Sequence, residues 1–177
     1  YGDMSDRMMS IAAGLGPTQE IYSIDESFIG LDGVRGNLAR RARIIRSRIL
    51  QWTGLPCGIG IGSTKTLAKL ANHIAKTTER KPGSYPQEYA QVCDLSSISL
   101  EERQYLLGLT EIGEVWGVGR RYAAQLKEYG MHTALDLSRM DPAVVRSRWS
   151  VVLERTVREL QGTACIQIED IAPDKKE

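Results

Sequence analysis

The sequence predicts an α+β sheet with helices packed on it, followed by a small all-helical region. Three observations carry that reading. After an opening helix, the chain up to about residue 95 alternates short β-branched runs with longer amphipathic stretches in the order strand, strand, helix, strand, helix. From Ser99 onward every periodic segment has helical spacing. Between them lies TTERKPGSYPQEYAQ (77–91), which Pro82, Gly83 and Pro86 mark as a surface loop.

Each element has its own justification. Met4, Met8, Ile11 and Leu15 fall on one face of a helix over 3–15 that Gly14 and Gly16 stop. Strands are expected at about 20–25 and 27–31, ahead of the Asp32-Gly33 turn signal. Over 37–52, Leu38, Ala42, Ile45, Ile49 and Trp52 form an apolar stripe, with Arg40, Arg43, Arg46 and Arg48 mostly elsewhere, so this helix should cover a sheet. LPCGIGIG (55–62) reads as a glycine-rich strand, Ser63 to about Lys76 as a helix, and VCDL (92–95) as a short apolar run. Helical signals then follow at 100–108, 119–129, 133–139 and 151–161, the last ended by Gly162. Asp141-Pro142 opens another short helix, with a capping aspartate ahead of a proline suited to the first helical turn.

Composition narrows the function classes. With 177 residues, 42% of them hydrophobic, the chain can build one large domain or two small ones. No run approaches the roughly 18 apolar residues of a membrane span and no charged-then-apolar leader is present, so no membrane partner is expected and a cytoplasmic location is the default. Cys57, Cys93 and Cys165 are odd in number and far apart, which fits buried free thiols rather than a disulfide framework or a zinc site. The net charge of +1 gives no general support for a nucleic-acid partner, so any such case rests on local patches. The start at Tyr1 and the polar, proline-containing end IAPDKKE suggest a fragment of a longer protein.

Three constellations stand out. In GSTKTLAKLANHIAK, Lys65, Lys69 and Lys76 share one helix face about 16 Å long, opposite Leu67, Leu70, Ala71 and Ile74. Ser63 and Thr64 are good caps at the helix start, where the dipole favours an anion, so the face suits polyphosphate as well as plain solvent. A phosphate-binding P-loop is excluded, because Thr64 rather than glycine precedes Lys65. Secondly, VWGVGRRYAAQLKEYGMHTALDL (115–137) sets a Gly117-Val118-Gly119 turn against a helix N-terminus, with Arg120 and Arg121 beside it. This resembles the helix-hairpin-helix motif, which grips DNA phosphates without reading bases. Trp116 and Tyr122 are expected in the core. Thirdly, Asp25 and Glu26 interrupt the apolar run IYSIDESFIG. Neighbours on a strand point to opposite faces, so both acids can serve one site only at a strand end or bend.

Taken together, YSIDESF resembles the S-I-D-E-[AS]-[FY] palm motif of the Y-family translesion DNA polymerases. GIGSTKTLAKLANHIAK resembles that family's following strand and phosphate-binding helix, and VWGVGRRYAAQLKEYGMHT its thumb hairpin. With YGDMSDRMM upstream and VVLERTVRELQGTAC downstream, the likeness covers nearly the whole chain and is nearest to the UmuC branch. The resemblance implies an α+β palm-type sheet with packed helices over 1–95, a small all-α helix-hairpin-helix thumb over 96–166, and a linker over 167–177 leading to a little-finger domain. It also implies error-prone synthesis past damaged bases in the bacterial SOS response. Asp25 and Glu26 would then be catalytic and hold Mg2+ for two-metal nucleotidyl transfer. Lys76 would contact the triphosphate of the incoming dNTP, Lys65 and Lys69 would face DNA backbone, and Gly117, Val118, Gly119, Arg120 and Arg121 would bind the primer-template. A UmuD-type dimer, RecA and the sliding clamp are the implied partners. The family's first palm motif, with its aspartate, and the fingers are absent, so these 177 residues alone should not polymerise. The alternative is a non-catalytic helix-hairpin-helix DNA-binding module with structural acids.

Overall fold

A computed structural model describes residues 2–168. Tyr1 and most of the linker expected at 167–177 lie outside the described residues. Helix α1 (Gly2–Ala12) runs into a 3-10 turn (Ala13–Leu15), then strands β1 (Thr18–Ile21) and β2 (Ser27–Gly30), helix α2 (Leu38–Thr53), strand β3 (Ile59–Ile61), helix α3 (Lys65–Arg80) and strand β4 (Val92–Asp94). Five helices follow among the described residues: α4 (Leu100–Gly108), α5 (Arg120–Glu128), α6 (Ala134–Ser138), α7 (Pro142–Arg148) and α8 (Val151–Leu160).

The strands form two separate pairs rather than one sheet. β1 and β2 make an antiparallel hairpin with Ile21 opposite Ser27, whereas β3 and β4 run parallel with Ile59 opposite Val92. The strand expected at 20–25 ends at Ile21, because the backbone N–H groups of Tyr22 and Ser23 both donate to the Glu26 carbonyl, at 3.0 and 3.1 Å, and close a turn. Helix α3 passes Lys76 to reach Arg80. Nothing breaks it before Pro82, which disfavours helical geometry at Lys81.

Local chemistry sets the helix ends. Asn37 caps α2 by accepting from Arg40 N, and Gly54, at φ +74, ends it in the left-handed region. Thr64 rather than Ser63 caps α3, accepting from Leu67 N; Asp141 and Ser150 cap α7 and α8.

The glycines of 55–62 serve packing. A Cβ at Gly60 would overlap Asn72 N and Ala68 O and lie 2.7 Å from Ala71 C, and one at Gly62 would lie 2.6 Å from Ala68 N. Without them, α3 could not lie directly on β3.

One core, which includes Leu15, Ala42, Ile45, Ile49, Ile61 and Val92, sits between α2 and the parallel pair. A larger one joins Leu67, Leu70 and Ile74 of α3 to Leu106, Leu126, Leu153 and Val157, so buried packing runs across residue 95. Helix α3 is the shared wall of both halves.

Candidate nucleotide and nucleic-acid site

The acidic pair occupies the loop of the β1–β2 hairpin, the bend that two neighbouring carboxylates need in order to serve one site. Ser5 Oγ of α1 donates to the Ile24 carbonyl, and Gln19 Nε2 donates to Met9 O at 3.0 Å, so α1 braces the loop. Asp25 is exposed; its Oδ1 accepts from Ser23 Oγ at 2.8 Å and it has no cationic partner among the described residues. Glu26 is half-buried, and Lys69 Nζ donates to both of its carboxylate oxygens at 3.0 Å.

The three lysines do share a face, along a groove of about 910 Å³ that Asp25 and Glu26 also line. They are not an open row of ammonium groups. Lys65 is buried, pairs with Glu20 and lies 4.7 Å from the Phe28 ring centroid. Lys69 pairs with Glu26 and lies 5.0 Å from the Tyr22 ring centroid. Cation–π attraction and a carboxylate thus fix both heads. Half-buried Lys76 has no salt bridge among the described residues. Beside it, the buried Oδ1 of Asn72 has no hydrogen-bond partner among the described residues, and Asn72 also lines the groove. Asn72 had no sequence signal, because only the packing of α3 on β3 buries that oxygen.

In the helical region a 3-10 turn (Ile112–Glu114) precedes the glycine turn. Gly117 takes φ +90, closed to most side chains, and α5 starts at Arg120 behind Gly119 with no side-chain cap, leaving its first N–H groups open. Gly117, Gly119, Arg120 and Arg121 are exposed. Val118 differs: its side chain is buried and its N–H donates to Val115 O at 3.0 Å, so it anchors the turn.

Trp116 does not enter the helical core. Its ring packs 5.9 Å from Tyr22 and 5.6 Å from Phe28, centroid to centroid, against the acidic hairpin. Tyr122 does pack on the larger core and donates to Ser150 Oγ at 3.0 Å. One aromatic cluster therefore joins the glycine turn to the loop carrying Asp25 and Glu26. Sequence reading missed it because the partners are nearly a hundred positions apart.

Of the three free thiols, only Cys93 is fully buried, and burial pushes its pKa up to about 12; Cys57 and Cys165 are half-buried. His73 of α3 faces Glu114, Nδ1 to Oε2, at 3.7 Å. Burial lowers its pKa from 6.5 against the opposing pull of Glu114, and Lys76 adds to the lowering. Below about pH 6.5 the unfolded chain therefore binds a proton that the folded chain resists, so stability falls as pH drops through the folded pKa. Urea midpoints should decline from about pH 7 to pH 5, and His73→Gln should flatten that slope; an unchanged slope would refute this role for His73.

No group of three or more His, Cys, Asp or Glu side chains suited to a metal occurs among the described residues. The donor chemistry at the loop nevertheless fits a hard divalent cation: Asp25 is open, and the Lys69 ammonium on both Glu26 oxygens shows that a cation is attracted there.

The fold matches the palm-and-thumb region of solved Y-family DNA polymerases. The structure superposes on DinB from Sulfolobus solfataricus with a TM-score of 0.70 at 22% identity, covering 96% of this chain and 47% of that one. An insertion ternary complex of Dbh DNA polymerase gives 0.71, at 22% identity, over 96% and 46%. The sequence profile of the impB/mucB/samB family matches residues 1–73. Protein UmuC of Salmonella typhimurium is 47% identical over all of this chain and 40% of its own length. Protein MucB of Escherichia coli is 39% identical over the same shares, and DNA polymerase IV of Picrophilus torridus 30% identical over 83% of this chain and 38% of its own. The chain is thus similar over its whole length to UmuC-like proteins of this family, and spans about 40% of the length of the curated relatives it matches.

Proposed function

We propose that the chain is the acid-bearing palm part and thumb of an error-prone translesion DNA polymerase, with residues 1–95 and 96–166 as the two units. One observation carries the reading. Two adjacent carboxylates on a tight loop face a lysine-lined groove, and an aromatic cluster couples them to a glycine turn with open N–H groups and two arginines.

Asp25 and Glu26 would hold Mg2+, with Lys69 giving up Glu26 to the ion. Such an ion polarises phosphoryl oxygens and lowers the pKa of an attacking hydroxyl. Lys76, the one of these three lysines without a salt bridge among the described residues, is the cation best placed to take up triphosphate charge. Lys65 and Lys69, already engaged with Glu20 and Glu26, reach DNA backbone only after exchanging those partners. The open N-terminus of α5, with Arg120 and Arg121, suits a DNA phosphate. By the family resemblance, a further carboxylate comes from a palm motif not seen in these residues, so the 177 residues alone should not extend a primer. Binding to a UmuD-type dimer, RecA and the sliding clamp rests on the family resemblance.

Calorimetric titration of the chain with dNTP and Mg2+ tests the reading. Asp25→Ala should abolish the Mg2+-dependent component and leave DNA binding intact, while Arg120→Ala with Arg121→Ala should lower the salt slope of DNA binding by about 2. Nucleotide binding indifferent to Asp25→Ala, alongside normal salt-sensitive DNA binding, would favour a non-catalytic DNA-binding module instead.

A further inference from the structure

Glu159 is the fully buried carboxylate near the end of α8. A lone buried carboxylate is strongly disfavoured unless its oxygens are satisfied, and here four donors satisfy them. Oε1 accepts from the backbone N–H and the hydroxyl of Thr66, at 2.9 and 2.8 Å. Oε2 accepts from the N–H groups of Cys165 and Ile166, at 2.8 and 2.9 Å. The Glu159 carbonyl in turn accepts from Thr64 Oγ1, the α3 cap, at 3.0 Å.

The carboxylate therefore sits on the first turn of α3, where the helix dipole favours a negative charge. It caps a helix 93 positions earlier in the chain and, with its other oxygen, holds the segment leaving α8. Helix α3 carries Lys65, Lys69 and Lys76. One turn back along α8, Thr156 lies close to the glycine turn: a Cβ added at Gly117 would stand 3.1 Å from Thr156 Oγ1. Helix α8 thus binds the start of the lysine helix through Glu159 and passes close to the Gly117–Gly119 turn at Thr156.

We infer that Glu159 is a positioning residue, a latch that fixes the glycine turn of the helical region against the lysine face of α3. The latch rests on these contacts alone; only its consequence for substrate binding rests on the polymerase reading. Glutamine cannot replace it, because either orientation of the amide sets an NH2 group against at least one backbone N–H donor.

The test uses the whole chain labelled with 5-fluorotryptophan, whose three resonances report on Trp52, Trp116 and Trp149, with Trp116→Phe assigning the one of interest. Trp116 bridges the two halves, whereas Trp149 packs on Tyr129 within the helical region. Glu159→Gln should shift or broaden the Trp116 signal, leave that of Trp149 in place and speed amide exchange at Cys165 and Ile166 by about tenfold or more. Thr66→Val, which removes one donor of four, should do the same to a smaller extent and serves if the glutamine variant does not fold. An unmoved Trp116 resonance in a variant that merely melts earlier would overturn the inference. A moved Trp116 signal with Mg2+-dependent nucleotide binding absent even from the unaltered chain would sustain the latch and count against the polymerase reading alone.

Discussion

On the proposed polymerase reading, Asp25→Asn in a chain of the relatives' full length will lower nucleotidyl transfer by about 10³-fold or more, and Glu26→Gln by about 10²-fold. The ranking follows from the partners of the two acids. Asp25 is open at the loop and, among the described residues, tied only to Ser23, so its charge is available to a divalent cation. The amide of asparagine keeps the shape and one neutral oxygen but removes that charge. Glu26 already shares its charge with Lys69, so its loss is partly offset when the freed ammonium turns to another anion in the groove. Single-turnover primer extension with each variant, beside DNA binding at matched salt, measures both effects. Equal activity of Asp25→Asn and the unaltered chain would remove Asp25 from the catalytic site.

Gly60→Ala will destabilise the chain by about 3 kcal/mol, at the upper end of what overpacking usually does. The added methyl would collide with backbone of α3 at Asn72 and Ala68, which cannot swing aside as a flexible side chain can. Relief requires α3 to lift off β3. Since α3 is also one wall of the larger core, both halves of the molecule would feel the shift. Gly14→Ala is the control: its Cβ would meet only Ile45 Cδ1, at 3.7 Å, an ordinary contact. Urea unfolding should separate the two variants clearly, and a Gly60→Ala chain as stable as the control would refute the close-packing account.

Much of the fold was legible locally. Met8, Ile11 and Leu15, or Ala42, Ile45 and Ile49, reveal their helices because the 3.6-residue period is written into neighbouring positions. Caps such as Thr64 and Asp141 act within two or three residues and are equally visible. The requirement that Asp25 and Glu26 stand at a bend also followed from strand geometry alone. The end of β1 did not, because it depends on which carbonyl Tyr22 and Ser23 choose, and Glu26 O supplies it.

By itself, the sequence determined the α+β character, the helix faces, the loop that bears two acids and the glycine turn ahead of Arg120. Tertiary structure decided which charges remain available: Lys65 is taken by Glu20 and Lys69 by Glu26, while Asp25 stays open. It also placed Trp116 on Tyr22 and Phe28, and Glu159 on the start of α3. The physical reason is range. Periodicity, capping and turn chemistry act over a few residues, whereas ion pairing and the burial of a carboxylate depend on groups that meet only once both halves have packed on α3.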